Sequence, residues 1–508
     1  MRQLFLVCLA IAVTPVHFGS PASSDVKVDE SKIADEIQAS KTRRPYFLDS
    51  GSTDSFRAAY QRRYGRDPVV TTHEGDKSII LLNAGEEREA AFAAFALRAT
   101  GANPPFRYFD AMYEKRLARG FIGIEDLMAG YKDPALNEML LAGVAKTFPQ
   151  YAKLHTLGTT ALGRPVLALE LTNFHAQRKK IPLLFSCTMH GNELTATEHC
   201  YQIISEVLKK PRQYEIHLDH AVLWIVPMVN PDGNHLFWHQ SSALGRKNAV
   251  STPGQSRHSP SRGVDLNRNF PFRWNSGHPK ASSSNPDSAY FRGVSPGSEQ
   301  EVIAMMQLSE RERFVYSFSF HAVAGRILVP YTSDNTRNPS PDYAWAFARN
   351  IAPRVRHHNA KRGFKAVKNI YPVDGTDQDY YYHRYGTLAY IIESSYRNCE
   401  YRYVPYYLEG YKALWEGALE DYAGNRKLVL RVTNRHGEAV PAELRFDDTI
   451  FYEGETRTAN AADGTFIRLT KSSQPVRVTI SAQGYRVRQL VISPQGPGYG
   501  AFTDIIMD

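Results

Sequence analysis

The chain has 508 residues, room for about three domains at roughly 150 residues each, or for one large enzyme domain with smaller companions. Hydrophobic residues at 43% and charged residues at 22% are ordinary for a globular protein and argue against a polytopic membrane protein. Lysine and arginine number 61 against 52 aspartate and glutamate, a net charge of +9 without long basic runs, which describes a solvated basic surface rather than a nucleic-acid site.

At the N-terminus Arg2 precedes an apolar stretch over 4–13, and small or polar residues follow to Ser24. That is the layout of an export signal, and the apolar core is about half the ~20 residues a membrane span requires. The expectation is a signal peptide over 1–24 and an exported protein, periplasmic or extracellular, with no stable membrane span. Setting Cys8 aside leaves Cys187, Cys200 and Cys399, an odd number without paired spacing. No disulfide framework follows, although export would permit one bridge.

Residues 25–123 form an N-terminal region to which the sequence assigns no role. Its first part, to about residue 50, is polar and reads as a tether. Its Ala/Glu/Arg-rich stretch 86–98 predicts a helix.

From 124 to 424, helical stretches alternate with short apolar runs at 165–171, 181–186, 221–226 and 388–392. Runs bounded by turn residues suit strands buried on both faces, with helices such as 195–209 covering them. The expected class is α/β, a mixed, mostly parallel sheet flanked by helices. From 425 to 508 the pattern changes to short alternating strands at 428–433, 442–446, 476–480 and 488–492, separated by turn signals. A small all-β sandwich is expected there.

The chemistry concentrates in the α/β region. His190-Gly191-Asn192-Glu193 follows an apolar strand and precedes a helix, so the imidazole and the carboxylate can reach one cation across the turn. His321 follows the run 314–320 and so lies at a strand end, where open α/β sheets place their sites. Together the three make a two-His, one-Glu set suited to catalytic zinc with a fourth position open. Asp265 could accept the second ring N–H of a ligand histidine and fix its orientation.

These stretches resemble the funnel-type zinc metallocarboxypeptidases, in particular their carboxypeptidase N/E (regulatory) branch. The resemblance rests on His190-Gly191-Asn192-Glu193, on Val229-Asn230-Pro231-Asp232-Gly233, on the run from Gly263 through Asp265-Leu266-Asn267-Arg268-Asn269 to Pro271, and on Gln378-Asp379 followed by aromatics. It covers about 124–424 and extends to the tail, which is similar to the transthyretin-like domain of that branch. It implies one Zn2+ per chain on His190, Glu193 and His321, with Asp265 behind them. It also implies Glu393 as general base and Arg246 as the group facing the developing oxyanion, with Lys247 a rival because the Pro/Ser-rich stretch 251–261 blurs the alignment. Asn267, Arg268 and Tyr371 would grip the substrate's terminal carboxylate. An exopeptidase needs such a grip, and the paired donors of a guanidinium suit it.

The same resemblance places Leu328, Thr332, Val373, Thr376, Asp377, Gln378 and Ile391 around the departing side chain. Gln378 agrees with a branch that prefers terminal Lys or Arg. Thr332, however, stands where that branch carries an aspartate, so basic selectivity would have to come from Asp377 or Asp334 turning inward, and Arg326 would oppose it. The implied partner is a peptide or protein C-terminus. Two other functions are compatible with these residues: an exported peptidase acting on cell-wall peptides, and a catalytically silent peptide-binding or adhesion protein.

Overall fold

The computed structural model describes residues 44–508 apart from 75–76, 84, 100–111, 241–242, 257–258, 357–362, 369–370, 395–397 and 400. The expected signal peptide and the start of the expected tether lie outside these residues.

The described residues of the N-terminal region are folded. A four-stranded sheet, in the order Val69–Glu74, Lys77–Leu82, Arg44–Asp49, Arg98–Ala99, packs with the helix Thr53–Tyr64 around Phe56, Tyr60, Ile80, Leu82 and Phe92. Two expectations are corrected here. The end of the supposed tether is the strand Arg44–Asp49, and the helix expected over 86–98 is instead two 3-10 segments, Glu86–Arg88 and Ala90–Phe95. Helix propensity loses to tertiary packing. The Tyr60 hydroxyl and the Asn83 N–H both donate to the Glu86 carboxylate at 2.9 Å, and the Phe92 and Phe95 rings lie 5.0 and 5.2 Å from Phe56.

The centre is an eight-stranded sheet in the order Lys365–Val367, Arg326–Leu328, Leu388–Ser394, Tyr316–Ala322, Ile181–Cys187, Ala221–Val226, Pro165–Leu171, Ala152–Thr159. The four middle strands run parallel and are buried on both faces, which is why they read as unbroken apolar runs. The helix Leu194–Lys209 covers one face and is buried along most of its length. The parallel strands all point their C-terminal ends at one rim, and the site lies on that rim.

Two three-stranded sheets form the C-terminal sandwich. One has the order Thr465–Thr470, Arg426–Asn434, Thr503–Met507, the other Glu443–Phe446, Val476–Ser481, Arg488–Ile492. Leu428, Leu430, Leu444, Val478, Ile480 and Ile505 pack between them. The strands Thr465–Thr470 and Thr503–Met507 were not among those expected. Among the described residues no helix is long and apolar enough to cross a membrane.

Among the described residues one disulfide, Cys187–Cys200, joins the end of the strand Ile181–Cys187 to the helix Leu194–Lys209, and Cys399 is a buried thiol 3.8 Å from the Tyr131 hydroxyl. The bridge closes a short loop that contains His190 and Glu193.

Candidate active site

His190 lies in the turn after the strand Ile181–Cys187, and Glu193 opens the helix Leu194–Lys209. The turn is tightly built. Gly191 sits where a Cβ would meet the Asn234 nitrogen at 2.2 Å, so no larger residue fits without movement. Asn230 Nδ2 donates to the carbonyl oxygens of Met189 and Arg246, both at 3.2 Å, and Asn234 Nδ2 donates to that of Gly191 at 3.0 Å. The Asn-Pro-Asp-Gly motif is thus the scaffold of the loop.

His321 stands near the end of the strand Tyr316–Ala322, and Glu393 is its register partner on the adjacent parallel strand. His190 Nδ1 lies 3.1 Å from His321 Nδ1 and 3.0 Å from Glu193 Oε1, while His321 Nδ1 lies 3.2 Å from Glu193 Oε2. Two imidazole nitrogens and a carboxylate turned on one buried point are a cation cage, and among the described residues these three form the one such group. The donor set fits zinc. Burial works to raise the Glu193 carboxyl, but the two imidazoles outweigh it and hold it well below the usual range. For Glu393 the balance goes the other way: burial and then the Glu193 charge push its carboxyl up, against the opposing pull of His321, His190 and Arg246.

Asp265 Oδ1 lies 3.2 Å from His190 Nε2, and its Oδ2 accepts from Arg246 Nε and Nη2 at 3.1 and 2.8 Å. Arg246 Nη1 reaches to 3.9 Å from Glu193, whereas the Lys247 ammonium points away and donates to the Pro286 and Ser288 carbonyl oxygens. Of the two rivals, the structure brings Arg246 to the metal cage.

The comparisons with known proteins agree with this geometry. Residues 138–409, more than half the chain, match the family described as zinc carboxypeptidase. The chain belongs to the zinc carboxypeptidase family. It is 30% identical over 261 residues to a metallocarboxypeptidase A of Trichophyton tonsurans, covering 49% of this chain and 59% of that protein. It thus spans somewhat over half the length of that relative. With human mast cell carboxypeptidase A it shares 23% identity over 390 residues, 74% of this chain and 86% of that one. The solved structure of bovine thrombin-activatable fibrinolysis inhibitor superposes with a TM-score of 0.51 at 19% identity, covering 57% of this chain and 97% of that one, a likeness of fold.

Around the cage of this family member, Asn267 Oδ1 accepts from the Asp377 N–H at 2.9 Å. Arg268, expected in the grip on the substrate's terminal carboxylate, is enclosed by neighbouring backbone. Its side chain is buried, 7% exposed for the residue, with Nε donating to the Ala281 carbonyl oxygen at 3.1 Å and Nη1 to that of Asn267 at 2.8 Å. Tyr371 is 52% exposed, and its phenol feels the charges of Glu393 and Arg268. Leu328 and Ile391 are opposite one another across paired strands, and Val373 and Thr376 are buried beside Asp377 and Gln378. Asp377 is buried, 1% exposed, with Oδ2 unpartnered, and both amide atoms of Gln378 are buried without a partner. Thr332 is unavailable as a free hydroxyl, because its Oγ1 donates to Asp379 Oδ2 at 2.9 Å. Asp334 is half-buried and accepts from Asn335, and Arg326 is the strand partner of Glu393.

Tyr290 escaped sequence reasoning. Its ring, 52% exposed, lies 5.2 Å from the Arg246 guanidinium and 5.5 Å from that of Arg268. An aromatic residue in a Ser/Pro-rich loop carries no motif, and only the fold reveals the two cations it faces.

Proposed function

We propose that this chain is a metallocarboxypeptidase that hydrolyses the C-terminal peptide bond of peptides or proteins. One observation carries the reading: a buried His-Glu-His cage, a raised carboxyl on Glu393 and two arginines stand on one rim of the sheet. Bound on His190, Glu193 and His321, zinc would polarise the scissile carbonyl and acidify water toward pKa of about 7. Glu393 takes the proton of the attacking water and delivers it to the leaving amine, a task favoured by its raised pKa. Arg246 offsets charge developing on the carbonyl oxygen. Arg268, Asn267 and Tyr371 hold the terminal carboxylate, with Asp265 keeping both Arg246 and His190 in place.

The finer reading places the chain in the carboxypeptidase N/E branch, with a signal peptide over 1–24, a catalytic domain over 124–424 and a transthyretin-like sandwich over 425–508. Its support is the set of motifs in order and the sandwich that follows the α/β sheet. Thr332 is committed to Asp379, so preference for terminal Lys or Arg rests on Asp377 and is modest. Hydrolysis of matched free-acid and amidated peptides, with and without a chelator, tests the activity: only the free acid should be cut, and only without chelator. Equal cleavage of both peptides would sink the exopeptidase reading.

A further inference from the structure

The sandwich is not merely appended to the catalytic sheet. The segment 453–457 lies between its strands Glu443–Phe446 and Thr465–Thr470 and reaches into the layer that supports the pocket. Glu455 is 7% exposed, and its Oε1 accepts from the Tyr331 hydroxyl at 2.9 Å. Tyr331 is fully buried and directly precedes Thr332, which donates its N–H and hydroxyl to Asp379. Arg457, 6% exposed, donates from Nη1 to the His383 carbonyl oxygen at 2.9 Å, and His383 Nε2 lies 3.0 Å from the Glu453 carbonyl oxygen.

Asp379 and His383 belong to one helix, Asp377–Tyr385, whose first residues are Asp377 and Gln378. A cation at the last carbonyls of a helix is favourable in itself. The chain has shaped itself to admit this one: Gly386, φ +76, ends the helix where a Cβ would meet Arg457 Nε at 2.6 Å. The helix is therefore gripped at its C-terminal end by Arg457 and Glu453. Near its N-terminal end it is gripped through Thr332, whose neighbour Tyr331 is held by Glu455. Glu453 adds a third anchor, accepting from Arg273 at 2.7 Å, five residues beyond Arg268.

Resting on the function proposed above, we propose that Glu455 and Arg457 of the C-terminal sandwich are positioning residues for the pocket that receives the substrate's terminal side chain. They touch neither the metal cage nor the scissile bond. They fix the axial position of the helix that presents Asp377 and Gln378, so their loss shifts those two groups relative to Arg268 and the cage.

The test compares kcat and KM on two peptides identical except for a terminal Lys or Phe. The variants are Glu455→Gln, Arg457→Ala and Tyr331→Phe, which breaks the Glu455 contact from the other side. Val478→Ala, a cavity in the sandwich core on the strand Val476–Ser481, outside the segment, serves as the stability control. The ratio of kcat/KM for the two peptides should change by about tenfold in the first three variants, mostly through KM, a size that small displacements of positioned groups produce. Zinc affinity should stay at the wild-type value, and Val478→Ala should lower Tm without moving the ratio. Wild-type cleavage with a ratio that no variant moves, or that moves equally in Val478→Ala, overturns the inference alone. A wild-type protein that cuts neither peptide overturns the functional reading and this inference together.

Discussion

Arg246 and Asp265 form a two-donor ion pair, Nε and Nη2 on a single carboxylate oxygen at 3.1 and 2.8 Å, leaving the other oxygen 3.2 Å from His190. One aspartate thus aims both a metal-cage imidazole and the guanidinium beside it. The Arg246 and Arg268 charges hold Asp265 well below the usual carboxylate range despite its burial, so it stays ionised while it does so.

Asp265→Asn should therefore weaken zinc binding by about 10–100-fold, the usual effect of removing the group behind a ligand histidine. Competition with a chromogenic chelator reads this directly. Wild-type affinity in the variant would mean that His190 is aimed by something else.

The cage was legible because its ligand types, spacing and strand-end position are local features: His190 and Glu193 sit in one turn, and His321 ends an apolar run. The choice between Arg246 and Lys247 was not, since adjacent residues leave the chain in different directions and only the fold shows Lys247 capped by two carbonyl oxygens. Of the eight central strands, the buried parallel ones announced themselves as apolar runs, whereas the three-residue strands Arg326–Leu328 and Lys365–Val367 are too short to carry a period. The stretch 86–98 misled because composition records helix propensity but not the aromatic cluster of Phe56, Tyr60 and Phe92 that draws it into 3-10 turns.

Tyr290 faces two cations, and each such contact at an exposed site contributes about 0.5–1 kcal/mol. Tyr290→Ala should lower kcat/KM by roughly tenfold, the equivalent of about 1.4 kcal/mol, while Tyr290→Phe keeps most of the wild-type value. If the phenylalanine variant fails as badly as the alanine one, the hydroxyl and not the ring face is what matters.

Arg268→Ala should erase discrimination between free-acid and amidated peptides. Because Arg268 also donates to the carbonyl oxygens of Ala281 and Asn267, the variant should in addition lose about 1–3 kcal/mol of stability. Denaturant melts and paired-peptide kinetics separate the two effects. Retained discrimination in the variant would remove Arg268 from the carboxylate grip.

Glu301 is fully buried, neither of its carboxylate oxygens has a hydrogen-bond partner, and burial pushes its pKa up to about 8. The unfolded carboxyl releases its proton near pH ~4.3. Between these values the folded state holds the extra proton, so stability falls as pH rises, by about 1.4 kcal/mol per unit for this group, and the slope vanishes above the folded pKa and below the unfolded one. Glu301→Gln should remove this component of the slope from urea titrations run across that range. An unchanged slope would show that Glu301 is ionised in the folded protein.

The central claim is that His190, Glu193 and His321 hold the metal while Glu393, their neighbour across paired strands, moves the proton. Its most direct test is to measure zinc content and single-turnover cleavage of a free-acid peptide on the same preparation of Glu393→Gln. The account predicts one zinc per chain, as in the wild type, with cleavage reduced by about 100-fold or more, the lower end of what a positioned general base contributes. A variant that has lost its zinc, or one that keeps it and cuts at the wild-type rate, would contradict the account.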